Sequence, residues 1–208
     1  VLEVGGAMPS GLVLDYLGVN SWTCVQSQEY AAHRSDNQTP SANLGNGRYS
    51  AIYANIEDLG GSADFAQRYD TVFSIACFEH IHKFPQALNV MYQALRSGGH
   101  LYSTFAPIWS GPWGQHLTEP VPPRFDSIAP AAGWTQQDFL GPWDHLLLSR
   151  FQFYERIKQR FDTSYAEELS YMTYNSPQIN RYFFEDYENF VKESKFSKSI
   201  FRGLFEVD

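Results

Sequence analysis

The sequence predicts an α/β domain: a doubly wound, mostly parallel sheet with helices on both faces and a helical insertion after the fifth strand. Three observations lead there. Short apolar runs alternate with helical stretches over the first hundred residues, the pattern of parallel strands joined by crossovers. The run YDTVFSIACF (69–78) is almost continuously apolar, as in a strand buried on both faces. The alternation then stops at PIWSGPWGQHLTEPVPP (107–123), rich in Pro, Gly and Trp, and helical spacing resumes beyond it.

Residues 1–5 read as a buried first strand. In SGLVLDYLG, Ser10 is placed to cap a short helix, Leu12, Val13, Tyr16 and Leu17 to form its apolar face, and Gly18 to end it. SWTCVQS supplies a second strand, and the polar tract HRSDNQTPSANLGNGR (33–48) reads as loop or frayed helix. YSAIYANI is a third strand and YDTVFSIACF a fourth. FPQALNVMYQALRSGG is the clearest helix. Pro85 suits its first turn, Leu88, Met91, Tyr92 and Leu95 share a face, and Gly98 stops it. GHLYSTFAPIW is a fifth strand. HLLLSRFQFYERIKQRF reads as one helix with Leu147, Phe151, Tyr154, Ile157 and Phe161 on one face. FFEDYENFVKES is a later helix and KSIFRGLFEVD a final strand. The expected organisation is a core at 1–106, an inserted lid at 107–175, and a helix and strand at 176–208 completing the core. Because the chain starts on a strand, preceding elements are expected outside this sequence.

The chain has 208 residues, 43% hydrophobic and 16% aromatic, enough for one α/β core. Its 15 basic and 23 acidic residues leave a net charge of −8, which opposes phosphate backbones and argues against a nucleic-acid partner. The two cysteines, Cys24 and Cys77, sit in apolar runs as buried free thiols do. No CxxC or HExxH spacing marks a metal site. No signal peptide or membrane-length apolar run is present, so a cytoplasmic location without membrane contact is expected. Homodimerisation is left open.

The opening VLEVGGAMPSG places Glu3, Gly5 and Gly6 where the first strand meets its turn. In a doubly wound sheet that is where a cofactor sits. A dinucleotide fingerprint needs G-x-G-x-x-G, and Gly5, Gly6 and Gly11 have another spacing. An acid beside the turn suits a cationic sulfonium and ammonium better than a phosphate. Four stretches extend the reading: LEVGG, CVQSQEY after the second strand, YANIEDL after the third, and YDTVFSIACFEHI followed by ALRSGGHLYSTF. In order and spacing these resemble the class I S-adenosylmethionine-dependent methyltransferases, in their small-molecule, type 11-like branch, over about residues 1–106. The resemblance implies a Rossmann-like sheet, S-adenosyl-L-methionine as cofactor, and methyl transfer to oxygen or nitrogen of a small organic acceptor. It implies that Glu3, Gly5, Gly6 and Ala7 flank the methionine part. It places Gln26 and Ser27 at the ribose, Asn55, Ile56 and Glu57 at the adenine, and Ile75 and Ala76 beneath the sulfonium. Ala7 and Pro9 stand where the family carries further glycines. Gln26 stands where it carries an acid, with Glu29 three residues later, and an amide accepts through only one oxygen.

Transfer to a hydroxyl needs a base near neutral pKa, which favours histidine. His80 follows the fourth strand beside Glu79, and His116 lies in a Trp-rich loop after the fifth that can fold over the cofactor pocket. These two are the catalytic candidates, each with a bland alternative: EH as a structural turn pair, and a packed loop histidine. His145 starts the inserted helix, facing the pocket or capping that helix. His82 and His100 read as surface or outer residues, and His33 as loop. Two other readings stay open at this level: a methyltransferase-like protein that has become a binding or scaffold partner, and a nucleotide-sugar or dinucleotide enzyme, disfavoured by the glycine spacing.

Overall fold

The computed structural model describes residues 1–27, 43–44, 47–62, 65–117 and 136–203. His33, Glu29 and most of the tract 33–48 lie outside them. The chain divides into two compact units, Val1–Phe105 with Glu188–Phe201, and Ala106–Tyr187 with Arg202–Asp208.

The first unit is built on a six-stranded sheet: β1 (Leu2–Val4), β2 (Ser21–Gln26), β3 (Asn43–Leu44), β4 (Gly47–Tyr53), β5 (Tyr69–Ile75) and β6 (Leu95–Thr104). The spatial order is β3-β4-β2-β1-β5-β6. Four strand pairings are parallel, and among the described residues only β3 runs antiparallel, to β4. The expected α/β sheet is therefore borne out, with one addition. β3 is two residues long, too short to show any periodicity in the polar tract that holds it. The chain winds outward from β1 through β2 to β4, then returns to the other side of β1 with β5. The winding direction reverses between β1 and β5, and in open α/β sheets the ligand crevice lies beyond the carboxyl ends of the strands at that point.

Between β1 and β2 the chain forms a π-helical segment, Gly11–Tyr16, ended at Gly18 with φ +67°. Ser10 is itself helical and its side chain makes no capping bond. Leu17 N donates to Leu12 O at 2.9 Å, an i to i+5 bond. That wider turn changes which residues face inward. Val13 and Leu14 are buried, whereas Leu12, Tyr16 and Leu17, expected inside from a 3.6-residue period, are exposed. Val13 and Leu14 pack with Trp22, Cys24 and Tyr49 on one face of the sheet.

β4 stops at Tyr53, and Ile56–Leu59 continues as a 3₁₀ turn rather than strand. β5 buries Val72 and Ser74 completely, but Ile75 is 46% exposed, so the expectation of burial on both faces fails at its carboxyl end. Helix α1 (Phe84–Ala94) carries Pro85 in its first turn and buries Phe84, Ala87, Leu88, Val90, Met91 and Ala94. It ends earlier than the sequence suggests. Leu95 turns extended and pairs with Tyr69, and the residues between that pair and Thr71↔His100 bulge through Gly98 at φ +79°. Tyr92, expected on the buried face, instead meets Phe196 edge-on.

The second unit contains α2 (Asp144–Leu147), α3 (Arg150–Lys158) and α4 (Thr163–Tyr174) around a core of Leu117, Leu140, Phe153, Ile157, Tyr165, Ala166 and Leu169. The single long helix expected over 145–161 is broken. Leu148 is extended, and Ser149 opens a new helix with a capping box to Gln152. The break resets the face. Leu147 and Phe151 are 73% and 70% exposed, while Phe153 and Ile157 are buried. Helix α5 (Phe184–Glu193) matches expectation. The expected final strand does not form over 194–203, and residues 204–208 lie outside the described part. In its place Phe190 contacts Phe84, and Phe201 contacts Phe105. Among the described residues no helix is long and apolar enough to cross a membrane, and no group of three His, Cys, Asp or Glu side chains could hold a metal.

Candidate functional site

The switch point between β1 and β5 is built by two turns that touch. Gly5 has φ +89°, and a Cβ there would collide with the Cβ and Sγ of Cys77 in the turn after β5. Gly6 lies against Glu3, where a Cβ would collide with Oε1. Both positions therefore need glycine. Glu3 is buried, and its carboxylate accepts from Trp22 Nε1 at 2.7 Å and from Met8 N at 3.0 Å. The acid is thus spent on folding the turn back over the strand rather than left facing outward. Tyr49 Oη donates to Met8 O at 2.9 Å, Gly5 N to Val25 O at 2.8 Å, and Ser74 Oγ to Val4 O at 2.9 Å. Neighbouring strands on both sides thereby pin the end of β1 and its turn, with Ala7 half-buried within it.

The other cofactor candidates line the same carboxyl edge. Gln26 ends β2, is 6% exposed, and its Oε1 has no hydrogen-bond partner among the described residues. Ser27 follows it, half-buried. Past β4, Asn55 is exposed and its Nδ2 reaches Asp58 Oδ2 at 3.4 Å, which leaves its carbonyl oxygen as an acceptor. Ile56 is buried, and Glu57 O accepts from Gln86 Nε2 at 2.8 Å. Past β5, Ile75 and Ala76 are exposed. Ala76 has φ +47° and is held by its N–H to Thr104 O at 2.9 Å. Burial and the nearby Glu79 charge push the Cys77 thiol up to about 12, so it stays protonated. His80 is exposed at the end of a 3₁₀ turn, its N–H donating to Cys77 O at 2.8 Å. The structure thus brings Glu3 to Ala7, Gln26, Ser27, Asn55 to Glu57, Ile75, Ala76 and His80 to one edge of the sheet.

His116 belongs to the other unit. It is half-buried at φ +56°, with its N–H donating to Trp113 O at 3.0 Å. His145 is nearly buried, and its Nε2 bonds Trp109 O at 2.7 Å. A carbonyl only accepts, so Nε2 carries the proton and Nδ1 is the bare nitrogen. Nδ1 has no hydrogen-bond partner among the described residues. Burial lowers the His145 pKa, which keeps the ring neutral at pH 7. Of the two alternatives for His145, neither capping nor an open pocket describes it; the ring fastens α2 to the loop at Trp109, edge-on to the indole at 4.6 Å.

Around it lie residues that sequence reasoning passed over. The Asp144 carboxylate accepts from Arg156 at 2.9 Å and from Gly141 N at 2.6 Å. Arg181 sits over the Trp109 ring at 5.5 Å and donates to the Thr173 and Ser176 carbonyls. Arg150 lies over the Tyr174 ring at 5.1 Å. One signal was available: Arg150 occupies the first turn of a helix, where the macrodipole disfavours a cation.

Comparison with known proteins agrees with the sheet. Residues 2–103, just under half of the chain, match the family model described as a methyltransferase domain. No curated protein matches the chain. A solved S-adenosylmethionine-dependent methyltransferase from Mesorhizobium loti is similar at 17% identity and a TM-score of 0.40, over 53% of this chain and 49% of that one. The citrinin polyketide synthase CMeT domain is similar at 19% identity and a TM-score of 0.36, over 49% of this chain and 27% of that one. The chain thus spans about half the length of the first of these or less of the second. Over residues 2–103, then, the chain is similar to a methyltransferase domain.

Proposed function

We propose that the chain is an S-adenosylmethionine-dependent methyltransferase acting on oxygen or nitrogen of a small organic molecule, in the cytoplasm. The observation that carries the reading is Gln26. It stands at the carboxyl edge beside the switch point with a buried acceptor that none of the described residues satisfies. Leaving such an atom unpaired costs about 1–3 kcal/mol, and a ligand hydroxyl meets that need.

When bound, the cofactor supplies an electrophilic methyl group. The chain's own residues then have separate tasks. Glu3 holds the turn through Trp22 and Met8, so that Gly5, Gly6 and Ala7 stand beside the methionine part. Gln26 and Ser27 take the ribose, Asn55, Ile56 and Glu57 the adenine, and Ile75 with Ala76 the floor under the sulfur. His80 and His116 each offer an imidazole able to take a hydroxyl proton near neutral pH. Residues 1–106 serve the cofactor, 107–175 acceptor selection, and 176–208 complete the core.

Calorimetric titration with S-adenosylhomocysteine tests the reading. Micromolar binding that weakens on Gly5→Trp supports it; no detectable heat overturns it.

A further inference from the structure

Among the described residues of the second unit, two guanidinium groups have no carboxylate partner. Arg150 has neither a hydrogen bond nor an ion pair among them and lies over the Tyr174 ring. Arg181 donates, among the described residues, to the neutral carbonyls of Thr173 and Ser176. Asp144, whose charge is felt at the Tyr174 hydroxyl, is already paired with Arg156 at 2.9 Å.

The aromatic rings connect the two cations. Arg150 covers Tyr174, Tyr174 meets Trp109 edge-on with centroids 6.2 Å apart, and Arg181 covers Trp109. Stability does not explain the pairing. Like charges repel, and Arg150 acts on Arg181 as a like charge, adding to the effect of burial in lowering its pKa. Arg150 also sits in the first turn of α3, against the helix dipole. Two unfavourable placements at one spot are relieved together by an anion. A guanidinium presents a planar fork that matches a carboxylate, and flat rings beside it suit an apolar or aromatic body.

We propose that Arg150 and Arg181, with Tyr174 and Trp109 between them in sequence of contact, bind a small carboxylic acid within the second unit. The anion site stands on its own geometry, apart from the methyl-transfer reading.

The test is calorimetric titration of the whole chain with benzoate and with benzamide, its uncharged counterpart. Benzoate should bind saturably and benzamide about tenfold or more weakly, since a charge-assisted bond is roughly twice as strong as a neutral one. Arg150→Gln should weaken benzoate by about tenfold. Arg150 is exposed and without hydrogen bonds, so this variant keeps the fold. Lys158→Gln, on the same helix, should leave benzoate binding unchanged. Equal affinity for benzoate and benzamide, or an unaltered affinity in Arg150→Gln, overturns the proposal. Binding of S-adenosylhomocysteine without any response to benzoate overturns the anion site and leaves methyl transfer standing. Benzoate binding without S-adenosylhomocysteine binding upholds the anion site and overturns methyl transfer.

Discussion

Gly5→Ala is the perturbation that most directly probes the switch point. A methyl at Gly5 meets two separate obstacles. The backbone there has φ +89°, and holding an L-residue in left-handed territory costs about 1–2 kcal/mol. The methyl would also overlap the Cys77 side chain, and overpacking of this kind costs about 1–3 kcal/mol. Together the variant should lose about 2–5 kcal/mol of unfolding free energy. With a urea m-value of about 2 kcal/mol/M, the midpoint should fall by roughly 1–2.5 M. The two parts can be separated. The Cα of Cys77 lies 3.6 Å from the added methyl, an ordinary contact, so Gly5→Ala combined with Cys77→Gly should relieve the overlap and leave the φ strain. A double-mutant cycle by urea unfolding, followed by circular dichroism, should then show a favourable coupling of about 1–3 kcal/mol. A wild-type midpoint for Gly5→Ala, or a cycle with no coupling, would refute the claim that contact between the turns after β1 and β5 dictates this glycine.

Glu3→Gln should cost about 1–3 kcal/mol by urea unfolding, because a buried charged acceptor of two N–H groups becomes a neutral amide. Gln26→Glu should tighten S-adenosylhomocysteine about tenfold in calorimetry, since a carboxylate can accept from both ribose hydroxyls where the amide oxygen accepts one. His145 should make stability depend on pH. Its folded pKa is below the ordinary 6.5, so near that value the unfolded chain binds more protons than the folded one. Stability should be fully present above pH 6.5 and fall as pH drops toward the folded pKa, and His145→Gln should flatten that slope in unfolding curves. Ser149→Ala removes the capping box at the start of α3 and should cost about 1 kcal/mol, read as a lower thermal midpoint.

The sheet was legible because its strands are apolar runs bounded by glycine and polar turns, and α1 because Phe84, Leu88 and Met91 repeat at helical spacing. What escaped the sequence has identifiable causes. The π-helical segment has its own period, so a 3.6-residue count put Leu12, Tyr16 and Leu17 inside when Val13 and Leu14 are. The break at Leu148 was written in the S-x-x-Q pattern of Ser149 and Gln152, but the apolar residues on either side mask it. At the site, the glycine turn was visible, whereas its reason was not. Gly5 is required by Cys77, a residue far along the chain, and only the fold brings them together. Arg150 and Arg181 stand on different elements, and only the first-turn position of Arg150 stands out. Their meaning depends on which carboxylates are already taken, a question of contacts rather than of pattern.

The requirement for glycine at the first turn also changes what that turn can prove. Gly5 is dictated by Cys77 and Gly6 by Glu3, contacts wholly internal to the protein. A relative that had lost catalysis and kept only the fold would need the same two glycines. Their presence therefore does not separate an enzyme from a binding protein of the same architecture. Gln26 does, because its buried Oε1 has no partner among the described residues. A fold retained for packing alone gains stability by replacing such an atom with an apolar side chain of similar size, since the desolvation of an unpaired acceptor then disappears. Gln26→Leu should accordingly raise the urea midpoint while abolishing S-adenosylhomocysteine binding. A gain in stability with undiminished binding would show that the carboxyl end of β2 takes no part in holding the ribose.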